Sequence, residues 1–298
     1  MNTEFRKYQN IVEDNILACL PEVDAKSRIL YDSMSYSLTS GGKRIRSVLL
    51  LAACELCSGA YSGAVPYACA VEYIQTYSLI HDDHPCMDND DYRRGKLTNH
   101  KVFGDGIAML AGDGLLSAAY EVMSRDMLLY LDKPELLKRR VCALSELSKG
   151  TGIRGMVAGQ AADLEAERKK VSPDMLSFIH TNKTAAFIKS SVLAGAYLGG
   201  ADREALEKIS EYGESLGLAF QIVDDIQDVI GTKESRGKDV GGDAQAQKAT
   251  YPALFGIERS KEYASELLNK AAAALEYFKD GTQALSFVIE YLENQIAD

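Results

Sequence analysis

The chain has little of what would mark it as a membrane, secreted or nucleic-acid-binding protein. No apolar run reaches the roughly 20 residues of a membrane span, so no stable membrane insertion is expected. The opening MNTEFRKYQN has none of the long apolar core of a secretory signal. The expected location is the cytoplasm. Lys and Arg, 33 in all, are outnumbered by 43 Asp and Glu, for a net charge of -10. Clustered positive charge that would recruit a nucleic-acid backbone is therefore lacking, and no nucleic-acid partner is expected. A small phosphorylated ligand, which needs only a local basic cluster, stays compatible with this balance. Of the six cysteines, Cys54 and Cys57 form a CxxC. No second Cys or His pair follows at zinc-site spacing, so buried free thiols are the expectation. There are only six prolines, no repeat of the solenoid type, no strand pair joined by a hairpin turn and no stretch resembling an interdomain linker.

What is present is helical periodicity in a chain of 298 residues, 46% of them hydrophobic, read as one domain spanning 1–298. Val48 to Cys57 is rich in Leu and Ala. Tyr212, Leu216, Phe220 and Val223 follow Ile209 at three- and four-residue spacing. Lys183 to Leu198 reads as a further helix that Gly199 and Gly200 stop. Residues 232–250 break the pattern: they are polar and Gly-rich, and such a loop reads as a flap.

Two acidic segments stand out. Residues 81–91 read HDDHPCMDNDD, with Asp82, Asp83, Asp88, Asp90 and Asp91 at the C-terminus of the apolar helix AVEYIQTYSLI. Carboxylates crowded at the negative pole of a helix dipole are disfavoured unless a cation neutralises them. Pro85 must break the helix, which lets the following loop return Asp88 towards Asp82. Oxygen-only ligation suits magnesium. A solvated acidic loop is the plain alternative, and His81 and His84 beside an aspartate could bind zinc, although surface or core histidines fit better. The second segment, FQIVDDIQD at 220–228, keeps helical spacing: Asp224 and Asp228 share a face with Gln221, on a helix otherwise apolar. Two acidic helices facing one cavity are a known way to build a metal site.

Basic residues complete the pattern. SGGKRIRSVLLL places a Gly-Gly pair before a helix, with Lys43 and Arg46 expected on one face and Arg44 pointing elsewhere. The P-loop pattern is absent. Arg93 and Arg94 follow the first acidic segment, Lys183 and Thr184 begin a later helix, and Lys238 and Lys248 flank the polar stretch. Singly each reads as a solvated charge. Together with two acidic segments they call for a ligand bearing several phosphate charges, bridged by metal to carboxylate and held directly by Lys or Arg.

In DDHPCMD at 82–88, DDIQD at 224–228, GGKRIR at 41–46, RRG at 93–95, KT at 183–184, FQ at 220–221 and the K-ATYP run at 248–252, the chain resembles the trans-isoprenyl diphosphate synthases, in order over residues 40–255. The resemblance implies an all-α fold of antiparallel helices around a deep central cavity, a homodimer, and magnesium as three ions. It implies Asp82, Asp88 and Asp224 as magnesium ligands, supported by Asp83, Asp225 and Asp228. Arg93, Lys183 and Lys238 would hold an allylic diphosphate. Lys43, Arg46 and Arg94 would hold isopentenyl diphosphate, and Thr184 and Gln221 would lie near the reacting carbon. Two positions depart from the family pattern: Gln75 stands where many relatives have a histidine contacting isopentenyl diphosphate, and His84 replaces a leucine. Gln75, Ser78 and Asp82 share one helical face, so a neutral hydrogen bond from Gln75 remains feasible.

The implied reaction loses diphosphate from the allylic substrate with magnesium as Lewis acid. The double bond of isopentenyl diphosphate then attacks the cation, and a proton leaves to the released diphosphate. No His or Cys nucleophile is required, and water must be kept out, with 232–250 as the candidate lid. The tail would grow away from the metals towards Tyr77 and Ser78, one turn before Asp82. Tyr77 is expected to stop it at fifteen carbons, as farnesyl diphosphate; the alternative is a core aromatic with no such role. Other readings are a geranylgeranyl or geranyl diphosphate synthase, a terpene cyclase (opposed by DDIQD), a non-catalytic synthase partner subunit, and a helical metal-binding protein.

Overall fold

A computed structural model of the chain describes residues 2–167, 169, 171–230 and 250–297. Among them the fold is all-α apart from one two-residue hairpin. The helices are α1 (Thr3–Asn15), α2 (Arg28–Leu38), α3 (Ile45–Ser58), α4 (Val65–Asp82), α5 (Asn99–Phe103), α6 (Asp105–Leu128), α7 (Pro134–Thr151), α8 (Met156–Ala166) and α9 (Pro173–His180). A single π-helical turn, Thr181–Ala185, joins α9 to α10 (Ala186–Gly199). After α11 (Arg203–Ile230) come α12 (Tyr251–Phe255), α13 (Ile257–Leu275) and α14 (Gln283–Ala297).

Local chemistry explains where these begin and end. Asn2 caps α1, its side chain accepting from the backbone N–H of Glu4 and Phe5 at 2.9 and 3.3 Å, which satisfies donors a first turn leaves open. Proline in the first turn opens α4, where its missing N–H costs nothing. Gly200, at φ 78°, closes α10 in the left-handed conformation, as the Gly-Gly pair predicts. Helix type follows burial. α1 and α13 keep one apolar stripe, whereas α3 and α10 are buried nearly all round, the mark of interior helices. Leu49, Leu50 and Leu51 are fully buried, each worth about 1.5–3 kcal/mol of transfer free energy.

α10 packs against α3, α7 and α11; α11 also packs on α13, and α4 lies along α6. Buried tyrosines tie remote segments: Tyr73 Oη donates to the carbonyl of Ile16 at 2.7 Å, and Tyr212 Oη to that of Leu285 at 3.0 Å. No helix among the described residues is long and apolar enough to cross a membrane. Cys54 and Cys57 are free thiols whose burial pushes their pKa values up to about 11 and 12.

Three local expectations change. Tyr92–Arg93 pairs antiparallel with Lys96–Leu97; its strands are too short for any alternation to register. The helix expected from Lys183 starts at Ala186, because residues 181–185 form the π turn. α3 starts at Ile45 behind a left-handed Arg44, so Lys43 precedes the helix and does not share a face with Arg46. The stretch 232–250 read as a flap, with Lys238 and Lys248, lies outside the described residues except for Thr250.

Candidate active site

A cavity of about 400 Å³ is lined by α4, α8, the π turn and Arg46 of α3. α4 contributes Gln75, Tyr77, Ser78, His81 and Asp82, so the face predicted for Gln75, Ser78 and Asp82 does look into one space. Tyr77 is largely buried and meets the His81 ring edge-on, centroids 5.7 Å apart at 77°. α4 ends at Asp82, and the Pro85 loop returns as expected: the backbone N–H of Asp88 donates to the Asp82 carbonyl at 2.9 Å. Burial pushes the Asp82 pKa up to about 6, against the lowering influence of Lys183. Confined in this way, the carboxylate favours an added cation.

The cationic side of the cavity is Arg46 and Lys183. Arg46 Nε is buried without a hydrogen-bond acceptor among the described residues, and the guanidinium lies 5.2 Å from the Phe187 ring centroid. Burial lowers its pKa to about 10. An arginine desolvated with an open donor is suited to an anion. Lys183 Nζ donates to Asp163 Oδ2 at 2.5 Å. Asp163 belongs to α8, a segment the sequence reading passed over, as it did Gln160, which also lines the cavity. The signal was there: Gly159 and Asp163 lie four apart, so on one helical face, in the otherwise apolar MVAGQAADL. Gly159 has a close neighbour: a Cβ there would stand 2.1 Å from the backbone nitrogen of Lys183.

The π turn carries the connection to the second acidic segment. Thr184 Oγ1 donates to Gln221 Oε1 at 2.6 Å, and Gln221 Nε2 donates to Asp225 Oδ1 at 3.0 Å. Asp225 Oδ2 also accepts from the backbone N–H of Tyr251 at 3.0 Å and lies 3.3 Å from His180 Nε2. Asp225 and Asp228 are buried, and Asp224, one turn before Asp228, is exposed. The first acidic segment thus shares a cavity with Lys183 and Thr184, and the second bonds to Thr184. Among the described residues no three His, Cys, Asp or Glu side chains form a ready-made ligand cage. One or two carboxylates beside Arg46 and Lys183 suit a Mg2+ ion whose remaining ligands are phosphate and water.

Other predicted residues lie outside this cavity. Asp83 turns away from Asp82 into a recess of about 30 Å³ under the hairpin, with Arg93 and Arg94. Arg93 Nε donates to both Asp83 oxygens, at 2.6 and 2.8 Å. Arg94 donates to the Gly41 carbonyl, joining the hairpin to the loop before α3. Lys43 lies on the Tyr291 ring, 4.3 Å from its centroid, at a separate recess of about 270 Å³. Arg44 points elsewhere as expected: it is buried, donating to Glu72 at 2.9 Å. His81, in the cavity wall, and His84, buried outside it, bond to the backbone carbonyls of Met109 and Asp105, each at 3.1 Å.

The Polyprenyl synthetase family matches residues 27–285. The chain is 45% identical to a dimethylallyltranstransferase of Fischerella ambigua, over 96% of this chain and 80% of the relative. It is 42% identical to a geranylgeranyl diphosphate synthase of Cyanophora paradoxa, over 96% and 94%. Among solved structures, an FPP/GFPP synthase from Zymomonas mobilis superposes with a TM-score of 0.83 at 33% identity, covering 97% of both chains.

Proposed function

The chain belongs to the polyprenyl synthetase family, and from that premise we propose that it condenses isopentenyl diphosphate with an allylic diphosphate, dimethylallyl and then geranyl, to give farnesyl diphosphate and diphosphate. One observation carries the reading: a single cavity is lined by the charged Asp82, Arg46 and Lys183 and by Tyr77, Met156 and Val157 among its apolar residues. Charged diphosphate and greasy tail need those two environments side by side.

In this reading Mg2+, as three ions, supplies positive charge to the departing diphosphate when bound, held by Asp82, Asp88 and Asp224 with Asp83, Asp225 and Asp228 in support. Lys183 binds the allylic diphosphate; Asp163 orients its ammonium. Arg93 reaches the same group with the N–H donors that Asp83 leaves open, and Lys238 assists. Arg46 binds isopentenyl diphosphate directly, and Arg94 and Lys43 join once they exchange their Gly41 and Tyr291 partners for phosphate. Gln75 donates a neutral hydrogen bond to the same substrate. Thr184 and Gln221, locked in orientation by the chain of bonds ending at Asp225, present fixed dipoles to the allylic carbon, where preorganised polar groups stabilise developing charge best. Apolar walls keep water from the carbon centre.

Tyr77 supports a farnesyl product because its ring occupies the cavity wall one turn before Asp82. The Cyanophora relative favours a geranylgeranyl product as second reading. Incubation with Mg2+, isopentenyl diphosphate and geranyl diphosphate tests both: the proposal expects diphosphate release and a fifteen-carbon product, with longer products from Tyr77→Ala. A twenty-carbon wild-type product moves the assignment to the second reading. Absence of diphosphate release from folded protein rejects the enzyme. The functional unit proposed is a cytoplasmic homodimer.

A further inference from the structure

The α4–α6 seam places a second ring beside Tyr77. His81 Nε2 bonds to the Met109 carbonyl at 3.1 Å and lies 4.0 Å from Asp113 Oδ1, so the ring is held against α6 while its other side lines the cavity. It rests on Gly112. A Cβ at that position would stand 2.1 Å from His81 Nε2, 2.4 Å from Cδ2 and 2.9 Å from Cε1. The imidazole therefore occupies the volume that any side chain at 112 would need.

We propose that Gly112 sets the usable depth of the cavity by giving the His81 ring a berth in the α6 wall, which makes the Gly112–His81 pair a determinant of the isoprenoid tail length the site accepts. The proposal rests on the prenyltransferase reading. A methyl group at 112 can be relieved in two ways, by parting the helices or by turning the ring. Parting them would open voids beside Ala108, Ala111, Leu115 and Ala119, all fully buried along α6, and close-packed seams resist that. Turning the ring needs only another rotamer, and the open side is the cavity. An imidazole has about as many heavy atoms as one isoprene unit, so a displaced ring removes space for one unit of tail.

Two readouts test this, one of them independent of turnover. Gly112→Ala should shift the product distribution one isoprene unit shorter than wild type. It should weaken an unreactive farnesyl thiolodiphosphate by at least about tenfold relative to the geranyl analogue. Adding His81→Ala to Gly112→Ala should restore the wild-type preference for the longer analogue. His81→Ala alone, which introduces no clash, should improve binding of a geranylgeranyl analogue relative to a farnesyl one. An unchanged analogue preference in Gly112→Ala, a double variant that keeps the short preference, or a His81→Ala protein with the wild-type preference would each overturn the proposal. Because the binding arm needs no catalysis, a wild type that binds the analogues without turning over would reject the enzyme reading and still decide this one.

Discussion

At the scale of single residues the site holds charges that are poorly solvated by the protein alone, and this makes opposite demands on stability and binding. Arg46 Nε is buried without an acceptor among the described residues. Replacing a desolvated charge with an apolar side chain of similar length often stabilises a fold. Arg46→Met should therefore raise Tm by about 2–3 °C, for roughly 1 kcal/mol. Isopentenyl diphosphate affinity should fall by at least about 30-fold; calorimetry and ligand titration read the two. Asp82 gives the corresponding pH signature. Its folded pKa of about 6 lies above its ordinary value, so between about pH 4 and 6 the folded state binds more protons than the unfolded one. Without divalent ions, stability should fall as pH rises through that window, by about 2 kcal/mol from this group. Urea unfolding at pH 4.5 and 7 should show the loss in wild type and much less of it in Asp82→Asn. The aspartate runs are visible in the sequence, and Asp82 and Asp83 are there assigned to one metal site, as ligand and support. Their separation into different recesses follows from where α4 ends, which no local pattern records.

At the scale of elements, legibility tracked regularity. α3 and α11 announce themselves by apolar periodicity, and the Gly199–Gly200 stop and the break at Pro85 are local chemistry. The π turn could not be read that way. It depends on α8 pressing against residues 181–185, and residues remote in sequence set it. Such turns recur at functional sites, and here it aims Lys183 and Thr184 at one cavity. Gly159→Ala tests the contact, since its methyl would collide with the backbone of Lys183. It should cost about 1–3 kcal/mol, read from the urea midpoint, and raise KM for the allylic substrate more than for isopentenyl diphosphate. Lys43 shows the converse limit: its three-residue spacing from Arg46 predicts one shared face, and a left-handed Arg44 places Lys43 before the helix.

At the scale of the whole molecule, carboxylates remote in sequence are linked through one π turn: Asp82 of α4 shares a cavity with Lys183 and Thr184, and Asp225 of α11 bonds to Gln221, the partner of Thr184. Val102, Leu110 and Tyr120 on α5 and α6 are exposed, and the proposed homodimer is tested there. Light scattering should give twice the chain mass of 32.6 kDa, and Leu110→Asp with Tyr120→Asp should shift it towards one. The joining of the two acidic segments around shared divalent ions is what the functional account stands on. Its most direct test is a crystal structure with Mn2+ in place of Mg2+ and unreactive analogues of both substrates, read by manganese anomalous scattering. The account predicts anomalous peaks ligated by Asp82 and by Asp224 that contact one common diphosphate. Manganese confined to one acidic segment, or a diphosphate bound away from both, would contradict it.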